Sequence, residues 1–292
     1  MKSKSQGVLL MSFAGFLTLS ASCKSGSPMG GESVSEILTT DGSDPVVIVL
    51  GGFWSCGSET MSKNKADWSP METRGSAGSM FTIATRQIQT IKNAVKGDFG
   101  VVSSCYYPEV DISGINYINN LSGSKSVVRT DLDQMILAIN GSLEKLKNPK
   151  VSLIGHSYGG WTAMKVAQNL TPKATLNTLV TIDAISRKNC HPREFVKALE
   201  KGQPFSGCAE APSDFNTQEI EAIAKRANGS WYNYYQTSAV MLHSSAFNSA
   251  AVKNEEVKYT PKDPKVESHI LFLKDDQFIN KMTQTVVQNM SK

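Results

Sequence analysis

Apolar residues come in short blocks along this chain, and the blocks alternate between two spacings. VVIVL (46–50) is a β-branched run with no polar break, the pattern of a buried strand. MFTIATRQIQTIKNAV (80–95) spaces its apolar residues at helical intervals, and FGVVSSCYY (99–107) is strand-like again. An amphipathic helix is predicted over 128–147, with Thr130 as candidate N-cap. KVSLIG (150–155) reads as a second buried strand, followed by a helix through GWTAMKVAQNL to about Leu170, and TLNTLVTID (175–183) as another strand. Residues 184–230 are less regular, with a helix expected in FNTQEIEAIAKRA. WYNYYQT (231–237) is a strand, a polar loop follows, EEVKYT (255–260) is strand-like, and a last helix runs from about Asp275 to Met290.

Such alternation predicts an α/β fold, a mostly parallel sheet with helices on both faces. No internal repeat interrupts it.

The N-terminus does not fit this pattern. MKSKSQGVLLMSFAGFLTLSASC places two lysines before an apolar stretch from Val8 to Leu19, then small residues. That is the plan of a secretory leader, too short for a good membrane span. LSASC, ending at Cys23, resembles a bacterial lipobox, in which the cysteine becomes the lipidated first residue. An ordinary cleaved leader with an incidental cysteine is the alternative. The expected organisation is therefore a signal peptide at 1–22, a tether at 23–44 and one catalytic domain at 45–292. Residues 24–44 are rich in Ser and Gly; fully extended they would reach roughly 70 Å at about 3.3 Å per residue. The expected location is the cell envelope, with a lipid anchor in a bacterial membrane on its periplasmic or surface side.

Composition adds little beyond this. Hydrophobic residues make up 40% and charged residues 19% of the 292, enough for a real core. The formal charge is +4, and two of the lysines lie in the leader, so no nucleic-acid partner is indicated. Lysines gather from Lys253 to Lys265, but acidic residues interrupt them, as on a solvated face.

The chemistry-bearing stretch is VSLIGHSYGG (151–160). Gly155-x-Ser157-x-Gly159 alone is common, but here a strand precedes it and a helix follows, which would lift the serine hydroxyl out of the sheet on a strained turn. A tight turn in a nonenzymatic α/β protein is the plainer reading. Together with VIVLGGFWS, LVTIDA and SHILFLKDDQFINKM, this stretch resembles the α/β-hydrolase superfamily, especially its lipase and esterase branch, over most of residues 45–292. One departure is Gly51-Gly52, where many lipases have His-Gly.

The resemblance implies the α/β-hydrolase fold, with a small cap or insert at about 184–230, and a Ser-His-Asp triad in which Ser157 is the nucleophile. A serine hydroxyl needs a base within reach, itself oriented by a carboxylate. The chain has four histidines. His156 flanks the nucleophile with its side chain expected to point elsewhere, and His191 lies in the insert. His269, just before the last helix, fits the family's closing segment, with His243 as the fallback. Most relatives carry the acid after the strand at 231–237, but residues 231–254 contain no Asp or Glu. Asp183, one strand earlier, is where a minority of lipases place it; capping of the following turn is its bland alternative. The oxyanion hole is expected from the backbone N–H of Tyr158 and of Phe53, with Gly52 as runner-up, or else GGFWS is a plain glycine turn.

Five cysteines occur, and a lipidated Cys23 would leave four in an exported protein. The fold brings the ends of the first two core strands together, so Cys56–Cys105 is expected as one disulfide, and Cys190–Cys208 as another within the insert. Trp54, Trp161, Trp231 and Phe205 are candidates for an acyl pocket, although such aromatics are more often core. The resemblance implies hydrolysis of carboxylic esters, with a small-molecule or lipid ester as substrate and no metal or organic cofactor. A thioesterase or amidase of the same fold, and an envelope binding protein without catalysis, stay as alternatives.

Overall fold

The computed structural model describes residues 45–53, 100–107, 112–118, 125–130, 132–185, 190, 210–260 and 267–291, with isolated positions at 194, 197, 198, 201, 203, 208 and 262. For Phe53 and residues 100–107, 112–118 and 125–130 only the backbone is described. All of these lie within Ser33–Lys292.

The unbroken apolar run forms β1 (Pro45–Phe53), which pairs in parallel with β2 (Gly100–Tyr107) on one side and β5 (Lys150–His156) on the other. Beyond β5 the sheet continues in parallel through β6 (Thr175–Ile182), β7 (Trp231–Tyr235) and β8 (Val252–Glu256). Beyond β2, an antiparallel pair closes the other edge: β3 (Ile112–Ile118) and β4 (Lys125–Thr130). The order is β4-β3-β2-β1-β5-β6-β7-β8. The architecture is α/β, as the alternation predicts.

Helices cover both faces because the central strands are apolar on both. Val46, Ile48 and Leu50 pack into one core with α1 (Leu132–Leu143), α2 (Tyr158–Asn169) and α3 (Thr217–Arg226). Val47 and Val49 point the other way, into a core built with α5 (Asp276–Met290) through Phe278, Ile279, Met282 and Val286. Alternate residues of one strand thus feed two layers, the period of two that a pleated strand dictates. Asp275 caps α5, accepting from the N–H of Gln277 at 3.0 Å and of Phe278 at 3.1 Å.

Three expectations are corrected. The helix predicted over 128–147 is shorter: residues up to Thr130 belong to β4, and α1 spans Leu132–Leu143. Val127 and Val128 are β-branched, and a neighbouring strand is available to pair with them. The strand at 255–260 lies at Val252–Glu256, where it matches β7 residue for residue. The helix expected within the cap insert, α3, is the crossover between β6 and β7 and belongs to the core layer, with Ile223 and Ala224 buried. An Asn216–Glu219 capping box starts it, and Arg226 hydrogen-bonds the carbonyls ending α2, at Leu170 (2.8 Å) and Thr171 (2.9 Å). The helix expected at 80–95 lies outside the described residues, as do the proposed leader and tether. No helix among the described residues is long and apolar enough to cross a membrane.

Candidate active site

Parallel strands all end on one side of the sheet, and the chemistry collects there. Ser157 is the single residue between β5 and α2, with φ 60° and ψ −130°. Asp183 follows β6 with φ 45°. Of the three non-glycine residues with positive φ among the described residues, these are two; the third is Asn228. Such conformations cost of order 1–3 kcal/mol each and persist where the surroundings over-determine them. Here the surroundings are backbone hydrogen bonds: Ser157 N–H to Ile182 O (2.9 Å), Asp183 N–H to Tyr234 O (2.6 Å) and Ile185 N–H to Ser157 O (3.3 Å). They tie the ends of β5, β6 and β7 to one another.

The glycines around Ser157 allow this close approach. A Cβ on Gly159 would overlap the backbone of Leu50 in β1. A Cβ on Gly52 would lie 2.7 Å from Ser157 Cβ and 3.0 Å from its Oγ. The end of β1 therefore lies directly against the serine. This is the segment expected to supply an oxyanion donor. Gly52 is the residue in contact; Phe53, next along, ends β1 in register with Tyr106. Tyr158 is the first residue of α2, at its N-terminus, and its ring stacks on Trp161 at 5.1 Å.

His269 lies on a short helix, α4 (Glu267–Leu271), just before α5. Its Nδ1 is 2.6 Å from Asp183 Oδ2, with His269 3% and Asp183 0% exposed. A carboxylate only accepts, so Nδ1 carries a proton, and in the neutral ring Nε2 is then the nitrogen with the lone pair. Nε2 is buried and has no hydrogen-bond partner among the described residues. The structure thus joins the candidate acid to the candidate base, and leaves the base's second nitrogen without a bond to Ser157. His243, the fallback base, instead points Nδ1 at its own loop, 2.6 Å from Ala239 O.

Two residues here were not legible as participants. Gln236, which follows β7, is fully buried and bonds Asp183 from both its backbone and its side chain. His156, expected to point away, reaches the backbone carbonyl of His269 through Nε2 at 2.8 Å. Burial, then the nearby His269, push the His156 pKa well below its usual value; the bond to the carbonyl opposes them. The remaining donor to the acid is the N–H of Ser244, 2.8 Å from Oδ1.

Cys190 and Cys208 form a disulfide, with Cα atoms 4.5 Å apart and both residues buried. Cys56 lies outside the described residues and Cys105 is described only as backbone of β2, as Cys23, Trp54 and Phe205 lie outside them too. Trp161 and Trp231 are core residues; Trp231 donates its indole N–H to Thr181 Oγ1 at 3.1 Å. Among the described residues no three His, Cys, Asp or Glu side chains are grouped as metal ligands.

No protein-family model matches this chain, and no significant match joins it to a curated protein or a solved structure.

Proposed function

We propose that this chain is an exported serine hydrolase of the α/β-hydrolase type, cleaving carboxylic esters through Ser157, His269 and Asp183. The observation that carries the reading is the 2.6 Å hydrogen bond between His269 Nδ1 and Asp183 Oδ2, formed beside a serine on a strained strand-to-helix turn. In this mechanism Ser157 Oγ attacks the ester carbonyl as His269 Nε2 takes its proton. Asp183 holds the ring so that Nε2 is the free base, and stabilises the imidazolium that forms. The Tyr158 N–H at the start of α2 and an N–H from the end of β1 receive the developing oxyanion. The alkoxide leaves with the proton from His269. Water, activated by the same nitrogen, then releases the acid from the acyl-enzyme.

The unformed Ser157–His269 bond supports a second reading, a hydrolase-fold binding protein without turnover, although such bonds often close only around substrate. A fluorophosphonate probe separates the two. Labelling that is lost in Ser157→Ala supports the enzyme; an unlabelled but folded wild-type chain supports the binding protein. A panel of p-nitrophenyl esters of rising chain length, with thioester and amide counterparts, then defines the substrate. Anchoring through a lipidated Cys23 belongs to the same proposal, and retention of Cys23→Ala in the membrane fraction would refute it.

A further inference from the structure

Asp183 is held from the neighbouring strand. Gln236 directly follows β7 and donates to the carboxylate twice: its backbone N–H to Oδ1 at 3.3 Å and its Nε2 to Oδ2 at 2.8 Å. The side-chain amide is itself fixed. Its other Nε2 proton goes to Leu242 O at 2.9 Å. Its Oε1 accepts from Ala239 N–H at 2.8 Å and Ser238 Oγ at 3.2 Å. Both donors and both acceptor positions of the amide are thereby used. A flipped amide would set oxygen against oxygen at Asp183 and Leu242, so the network decides the orientation.

Oδ2 is the same oxygen that accepts from His269 Nδ1. With two donors converging on it, and Ser244 N–H and Gln236 N–H on Oδ1, the fully buried carboxylate cannot rotate without breaking several bonds. The 238–244 turn is held to the same amide, so one side chain sets both the acid and the loop that covers it.

We propose that Gln236 is the positioning residue of the Asp183–His269 pair, fixing from the end of β7 the oxygen on which the imidazole settles. The proposal rests on the hydrolase reading, and its test is chosen so that the two fail separately.

The full chain in detergent, with the variants Gln236→Ala and Gln236→Met, is measured in two ways. The first is the low-field proton resonance of His269 Nδ1–H, which reports the bond to Asp183 without turnover. In both folded variants it should shift or broaden. The second is kinetics on p-nitrophenyl acetate, where kcat should fall about 100-fold with KM nearly unchanged, as for a misplaced catalytic group. Gln236→Met keeps the side-chain length and most of its volume while removing the donor to Oδ2, so it separates positioning from packing. The wild-type chain gives a measurement with no folding risk: the Gln236 side-chain amide protons should be exchange-protected and show an Overhauser contact to the His269 Nδ1 proton. A missing contact, or a resonance unmoved in a folded variant, overturns the proposal whatever the activity. A wild-type chain with the contact but without hydrolysis or probe labelling overturns the hydrolase reading alone.

Discussion

His156 donates its Nε2–H to the backbone carbonyl of His269 across 2.8 Å, and the two rings lie 4.5 Å apart. His156 is the last residue of β5 and precedes Ser157. The residue beside the proposed nucleophile therefore holds the main chain of the proposed base. Since a carbonyl can only accept, Nε2 carries the proton, and Nδ1 is left buried without a partner among the described residues. A second proton on this ring would have no acceptor among the described residues.

That arrangement makes stability depend on pH. His156 in the unfolded chain titrates near about 6.5, whereas in the folded protein burial and the adjacent His269 hold its pKa well lower. Between the folded and unfolded values the unfolded state binds more protons. Stability is therefore constant above about pH 6.5 from this group and falls as pH drops below it, by up to about 1.4 kcal/mol per unit. His156→Gln retains an N–H donor but cannot titrate. The difference in urea midpoint between wild type and variant should be flat from pH 7.5 to about 6.5 and shrink as the pH falls from there to 5. An identical pH dependence in the two proteins would contradict the assignment.

Asp183→Asn tests the acid. An amide in place of the carboxylate can still accept from Ser244 N–H and Gln236 N–H through its oxygen. Its NH2 would then face the Nδ1–H of His269, now a donor against a donor. The imidazole escapes by moving its proton to Nε2, which removes the base from Ser157. A loss of about 10⁴-fold in kcat is expected, and because the same NH2 also meets the Gln236 Nε2–H, the melting temperature should fall as well. Turnover near the wild-type rate would mean that the triad lacks this acid.

What the sequence shows is what depends on neighbours along the chain. VVIVL and KVSLIG announce strands because burial on both faces needs unbroken apolar runs, and Asp275 marks the start of α5 because an N-cap is a local device. The β3–β4 pair is not visible in this way. ISGINYI mixes Gly114 and Asn116 into its run, and KSVVRT leads straight into a helical pattern. Their pairing is settled by β2, not by their own residues. The site divides likewise. Ser157 comes with a motif, and Asp183 stands out because the next strand has no acid. Gln236 carries no signal, since Gln is an ordinary surface residue. Only the adjacency of β6 and β7 turns it toward Asp183. His156 was readable as a flank of the serine, but its partner lies 113 residues away.

The disulfide is tied to the loop that bonds Asp183. Cys208 O accepts from His243 N–H at 3.3 Å, and the next residue, Ser244, donates to Asp183. Cys190 and Cys208 are 18 residues apart, and removing a crosslink over such a loop costs roughly 3 kcal/mol. The double variant Cys190→Ala/Cys208→Ala should lower the urea midpoint accordingly, and should also reduce kcat as the 242–244 segment loosens. An unchanged midpoint would show that the crosslink adds no stability.

Gly52 and Gly159 should respond differently to the same added methyl group. On Gly159 the new Cβ would overlap the carbonyl of Leu50, backbone against backbone between α2 and β1. Neither can yield without moving the helix off the sheet, so Gly159→Ala should destabilise by about 3 kcal/mol or more. On Gly52 the new Cβ would lie 2.7 Å from Ser157 Cβ, 3.0 Å from Oγ and 3.1 Å from His156 O. Turning the serine side chain relieves only the contact with Oγ; the contacts with Ser157 Cβ and His156 O are relieved by displacing the end of β1. The fold then survives, but the hydroxyl and the β1 donor leave their positions together. Gly52→Ala should therefore lose less stability than Gly159→Ala while fluorophosphonate labelling of the folded protein slows by about 100-fold. Wild-type labelling in a folded Gly52→Ala chain would mean that the end of β1 plays no part in placing Ser157 for attack, and the oxyanion donor would then have to come from elsewhere.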